Sequence, residues 1–101
     1  MDSKTFEITE YKYGFLNSMA TRDRHMIAHL YQKQEVVAIA YFQAERHEPQ
    51  MNSRGIVNLF YPIEDGPGII DMLRNEKPIF LHIEKSQAFL STSMEPIGEG
   101  E

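Results

Sequence analysis

Seven consecutive apolar residues, Val36-Val37-Ala38-Ile39-Ala40-Tyr41-Phe42, constrain this chain more than any other feature. Successive side chains of a β-strand point to opposite faces, so a run with no polar break is apolar on both. A chain of 101 residues has few elements with which to cover two faces. Either it wraps a small closed sheet around this segment, or a second copy of the chain covers what remains. Architecture and assembly follow from the run; a reaction does not.

The length predicts one domain, residues 1–101, with a single core hiding roughly two-thirds of the unfolded chain's surface. A composition of 42% hydrophobic and 25% charged residues is that of an ordinary globular domain. No stretch approaches the ~20 apolar residues of a membrane span. The start, Met1 to Glu7, lacks the basic and apolar regions of a signal peptide, so a cytoplasmic location is expected. Without cysteine there is no disulfide, thiol chemistry or sulfur-based zinc site. The net charge is −5, with six Lys/Arg against seven Asp/Glu in residues 1–50 and four against eight in residues 51–101. That sign disfavours general binding to nucleic-acid phosphates, and the one basic knot, Arg22-Asp23-Arg24-His25, is short and holds an acid.

Along the chain, Phe6 and Ile8 alternate, and the phase then shifts to Tyr11, Tyr13 and Phe15. The shift predicts a β-bulge or two short strands meeting at Thr9-Glu10. A polar connection follows from Asn17 through Arg24. Residues 25–44 admit two readings. On a helical wheel Met26, Ile27, Leu30, Tyr31, Val37, Ala38, Tyr41 and Phe42 share one side, as a long amphipathic helix requires. Val36 and Ile39 then land on the polar side and Gln34 on the apolar one. The alternative is a hairpin, His25–Gln32 and Glu35–Ala44, around a Lys33-Gln34 turn that lacks the usual Asn or Gly. The hairpin is preferred, partly on the resemblance described below.

Residues 44–55 form the longest expected loop, and Ile56–Tyr61 reads as a strand. Glu64-Asp65-Gly66-Pro67 opens a short helix near residues 66–75, with Asp65 as N-cap and Pro67 in the first turn. Ile69, Ile70, Met72 and Leu73 give it an apolar stripe. Arg74 suits the last turn, Asn75 can take a left-handed cap, and Pro78 prevents continuation. Strands Pro78–Glu84 and Gln87–Ser93 flank a turn at Lys85-Ser86. The acidic tail, residues 94–101, is expected to fray.

The candidate site residues come from the hairpin. A regular pairing around Lys33-Gln34 sets Tyr31 opposite Val36, His29 opposite Ala38, Ile27 opposite Ala40 and His25 opposite Phe42. That face mixes histidines and a tyrosine with small alanines, and alanine leaves room above a sheet. His25, Ile27, His29, Tyr31, Ala38 and Phe42 are therefore the expected ligand-binding or interface residues. The competing view makes His25 and His29 half-solvated edge residues. For acid–base catalysis the best pair is His29 with Tyr31, and His82, between Phe80 and Glu84 along its strand, comes second. His25 and His29 have the spacing of a metal pair on a helix but stand about 13 Å apart on a strand, so no metal site is expected. His47, in the polar loop, needs no role. Ser91-Thr92-Ser93 lacks a nucleophile elbow. Gly66-Pro67-Gly68 lacks the lysine of a phosphate loop and follows two acids, so helix capping is its expected role. No cofactor is implied.

The stretch Ile70-Asp71-Met72-Leu73-Arg74-Asn75-Glu76-Lys77-Pro78, then Leu90-Ser91-Thr92-Ser93 and the ending Glu95-Pro96-Ile97-Gly98-Glu99-Gly100-Glu101, resembles the C-terminal third of a family of small uncharacterised bacterial proteins, some carried on mobile gene cassettes. The hairpin region is similar more loosely and implies strand–turn–strand. No activity comes with the resemblance. Physically, Arg74 to Pro78 also reads as a helix stop and strand start.

Together these readings predict an α+β fold: a mostly antiparallel sheet of five to six strands with one short helix packed on it. One helix of about ten residues cannot cover both faces of such a sheet. Curling into a half-barrel, self-association, or both must hide the rest. The expected function is a non-enzymatic interaction or small-ligand-binding module acting as a homo-oligomer, with a dimer favoured. A small enzyme with a histidine acid/base is the alternative.

Overall fold

The phase shift at Thr9 is the corner around which the fold is built. In the computed structural model, which describes residues 3–17 and 24–92, the chain runs β1 (Lys4–Ile8), β2 (Glu10–Phe15), β3 (Arg24–Gln32), β4 (Glu35–Gln43), β5 (Gln50–Met51), β6 (Val57–Tyr61), α1 (Gly66–Asn75), β7 (Ile79–Glu84) and β8 (Gln87–Thr92). Thr9 separates two strands that belong to different sheets. β1 joins a three-stranded antiparallel sheet of order β1-β7-β8, and β2 forms an edge of a five-stranded sheet of order β2-β3-β4-β6-β5. The α+β class and the short helix stand, but the expected single sheet of five to six strands does not: the described residues form two sheets and no closed barrel. The break at Thr9 splits what would have been one sheet. β4 and β6 are parallel, which requires the crossover through residues 44–56 that also supplies β5. Among the described residues no helix is long and apolar enough to cross a membrane. The expected frayed tail, and the basic knot apart from Arg24 and His25, lie outside the described residues.

The hairpin reading of residues 25–44 is correct, and its weak turn is explained by a tertiary contact. Lys33 and Gln34 both take positive φ, 49° and 73°, the conformation a two-residue hairpin turn demands and side-chain-bearing residues resist. The chain corner holds them there. The Lys33 amide donates to Thr9 Oγ1 at 2.7 Å, and the Gln34 amide donates to Glu10 Oε1 at 2.9 Å. The Thr9 amide in turn donates to the Tyr31 carbonyl at 2.8 Å.

The pairing within the hairpin differs from the expected one. Tyr31 does face Val36, but Leu30 faces Ala38, so Val37 is an extra residue in β4 and every pair beyond it slips by one. His29 then faces Ile39, Ala28 faces Ala40, Ile27 faces Tyr41 and Met26 faces Phe42. Such a bulge reverses which face each later side chain takes. Ala38, Ala40 and Phe42 consequently lie on the core side with Met26, Ala28 and Leu30, all of them buried. The small alanines do not roof a hollow. They share one buried cluster with Leu81, Ile83, Ile70 and Leu73, so the three-stranded sheet and α1 complete the layer above them.

α1 spans the expected residues, but its ends are built differently. A 3-10 turn over Ile63–Asp65 runs directly into the helix, so Asp65 is already helical and its carboxylate makes no capping bond. Asn75 is the last helical residue rather than a left-handed cap, and its side-chain amide donates to Asp71 Oδ1 at 2.8 Å. Gly66 is where the helix touches the sheet: a Cβ there would stand 2.9 Å from Met26 Cε and 3.7 Å from Phe42 Cδ1.

The turn geometry yields a stability test. Replacing Lys33-Gln34 by Asn-Gly removes the left-handed penalty at both positions and is expected to raise unfolding stability by about 1–2 kcal/mol. Thr9→Val deletes the acceptor for the Lys33 amide and should lower stability by about 1 kcal/mol. Urea denaturation of the two variants measures both effects.

Candidate functional site

Three alternating aromatics, Tyr11, Tyr13 and Phe15, stand on the helix side of β2, opposite Leu30, Ala28 and Met26 of β3. They form a ladder: Tyr11 stacks on Tyr13 at 6.4 Å, and Tyr13 meets Phe15 edge-on at 6.1 Å. An irregularity between Arg24 and Met26 turns His25 to the same side, edge-on to Phe15 at 5.7 Å. α1 lies beside this ladder without closing on it. Tyr13 remains 41% and Phe15 70% exposed. The space between is a groove of about 550 Å³, with Met26, Gly66 and Ile70 on its apolar side and Glu64, Asp71 and Arg74 among its polar residues. That volume lies within the roughly 300–1,000 Å³ of small-molecule sites.

Arg74 is the junction of two clefts. It also lines a more polar space of about 700 Å³ between the β1–β2 corner and the start of β7, where Glu7, Glu10, Glu76 and Lys77 contribute. The neighbouring Tyr11 hydroxyl, and after it that of Tyr13, push the Arg74 pKa above the ordinary arginine value. Among the described residues no carboxylate lies within 4.0 Å of it.

The expected site residues divide between the two faces of the five-stranded sheet. His25 lines the helix-side groove, and Phe42 and Ala38 are buried in the core. Ile27, His29 and Tyr31 lie on the opposite, outer face. The expected constellation of six is therefore not one site, because the Val37 bulge and the irregularity at His25 separate its members. His25 and His29 cannot share an ion, since they point to opposite sides of the sheet.

The centre of the outer face carries two cross-strand rows, with Glu10, Tyr31 and Val36 in a further row at the hairpin-turn end. Gly14, Ile27, Tyr41 and Phe60 are in register, as are Lys12, His29, Ile39 and Asn58. Tyr41 and Phe60 stack at 5.6 Å, and His47 from the loop packs edge-on against Phe60 at 5.1 Å. His29 sits in a shallow depression of about 310 Å³ beside Lys12, Gly14 and Ile27. Partial burial, and then the charge of Lys12, push its pKa below the usual histidine value. Among the described residues it has no hydrogen-bonding side chain to orient it as a general base. His82 is on the outer face of the three-stranded sheet, its Nδ1 2.7 Å from Thr5 Oγ1 and its Nε2 4.0 Å from Glu84 Oε2. It stands in register with Phe89, which is 59% exposed. Ser91 follows on the same face, and Thr92 points to the core side of that sheet.

Sequence reasoning missed the groove. Its signal was present in the three aromatics of β2, which exceed what a short helix can cover, but nothing local placed α1 alongside them. No protein-family model matches the chain, and it matches no curated protein and no solved structure.

The His29 environment predicts a pH dependence. An unfolded histidine titrates near 6.5 and the folded one lower, so the unfolded state binds more protons between the two values. The contribution of His29 to stability is complete above 6.5 and declines as the pH falls below it. His29→Gln should flatten this part of the stability profile, as measured by urea midpoints between about pH 5 and 7.5.

Proposed function

We propose that this protein is a small-ligand-binding module, and that the groove between α1 and β2 is its site. The observation that carries this reading is Phe15: a large aromatic side chain left mostly in water beside an apolar floor. A planar or aliphatic molecule in the groove would cover Phe15, Tyr13, Met26 and Ile70 together, and burying such area drives binding. The groove supplies no nucleophile activated by a neighbouring base, and it joins aromatic contact surface to a few convergent polar groups, the composition of a recognition site. An NMR titration with 4-phenylbutanol should shift the Phe15, Tyr13 and Ile70 signals with a dissociation constant of about a millimolar, the strength expected of so small a probe. Phe15→Ala should weaken that binding severalfold. Shifts confined to the outer face would refute the assignment.

The outer face supports a second element of the proposal, self-association. α1 and the three-stranded sheet both contribute to the core side, and on the other side His47 from the loop packs against Phe60. The Ile27-Tyr41-Phe60 row is apolar, and no carboxylate stands in the centre of this face although the chain is acidic overall. Two copies meeting there avoid the acid–acid repulsion that other contacts would bring. A two-fold dimer burying at least about 1,000 Å² is expected. Ile39→Asp should leave the fold intact and give a monomer by light scattering. Ala38→Asp, with its charge in the core, should unfold the chain instead.

A further inference from the structure

The two ends of the groove differ in charge, and this defines the ligand. α1 runs along the groove from Gly66, seated on Met26, to Arg74, seated by Tyr11 and Tyr13. The distance is about 12 Å along the helix axis. Phe15 and the apolar floor occupy the Gly66 end, because Phe15 is in register with Met26. At the other end stand a guanidinium with no carboxylate within 4.0 Å among the described residues and two phenol hydroxyls, each able to donate or accept a hydrogen bond.

Two acids line the same groove: Asp71, one helical turn before Arg74, and Glu64, ahead of the helix start. Asp71 is engaged by the Asn75 side-chain amide at 2.8 Å. Glu64 belongs to the 3-10 turn before the helix, on the order of 15 Å from Arg74 along the axis. That exceeds the screening length of about 8 Å at physiological salt.

We propose that the groove selects a monocarboxylate with an apolar or aromatic body: the body lies along Phe15, Met26 and Ile70, and the carboxylate pairs with Arg74 and the Tyr11 and Tyr13 hydroxyls. The inference rests on the groove being the binding site. Guanidinium and carboxylate match as a two-point fork, and the neighbouring phenol hydroxyls can donate to the same carboxylate. A ligand with two carboxylates would set its second charge near Asp71 or Glu64 and be disfavoured.

Three probes with the same body and different ends test this: 4-phenylbutyrate, 4-phenylbutanol and 4-phenylbutylamine, each titrated by NMR against the whole chain. The butyrate is expected to bind about tenfold more tightly than the alcohol, and the amine no more tightly than the alcohol. Arg74→Gln, an exposed change whose fold is checked by circular dichroism, should lower butyrate affinity to near that of the alcohol while changing alcohol affinity far less. Equal binding of butyrate and alcohol, preferred binding of the amine, or butyrate affinity unaltered by Arg74→Gln would each overturn the carboxylate assignment. Failure of the groove itself has a separate sign: alcohol binding that Phe15→Ala does not weaken.

Discussion

One inserted residue decides how this molecule presents itself. Val37 is the extra residue of β4, and because of it Ala38, Ala40 and Phe42 turn inward while Ile39 and Tyr41 turn outward. A regular ladder would have reversed the two sets. The inward set is small at two of its three positions, which lets a second layer approach closely enough for Leu81, Ile83 and Leu73 to share one cluster with β3 and β4. The outward set, an isoleucine and a tyrosine, joins Ile27 and Phe60 in an apolar strip beside Lys12, His29 and Asn58 on the opposite face. Core and outer surface thus depend on the same local irregularity.

The chain corner at Thr9 is the second constraint, and it acts through hydrogen bonds rather than packing. By splitting the N-terminal segment between two sheets it lets one stretch of backbone tie both layers together. The Thr9 hydroxyl and the Glu10 carboxylate also receive the amides of a turn whose residues would not choose a left-handed conformation alone. The distorted positions in sequence, Thr9-Glu10 and Lys33-Gln34, are partners in space.

The groove follows from how little helix there is. Ten residues of α1 cover Met26 and the neighbouring core, and then stop short of the β2 aromatics. The exposed ladder of Tyr13 and Phe15 is the consequence, and Arg74 stands where the helix ends. Binding in the groove and association through the outer face use opposite sides of the same sheet, so the two elements of the proposed function do not compete for surface.

Hydrophobic period and turn chemistry made the elements legible: the strand break at Thr9, the hairpin, the strand before Pro62, the bounds of α1 and the last hairpin could all be read from local pattern. The candidate site could not. A regular pairing sets His29 opposite Ala38, but Ala38 lies on the other side of the sheet, and His25 belongs to the groove. A bulge costs a single residue and leaves no mark in a run that is apolar at every position, so no alternation could reveal it. Likewise, Arg74 lies some sixty residues from Tyr13 and Phe15, and no local signal says that they meet. The sequence by itself determined which segments are strands and which is helix, because those depend on near-neighbour sterics and periodicity. Only the tertiary structure decided which face each strand buries and where the groove opens, because register and layer packing are set by contacts between segments distant in the chain.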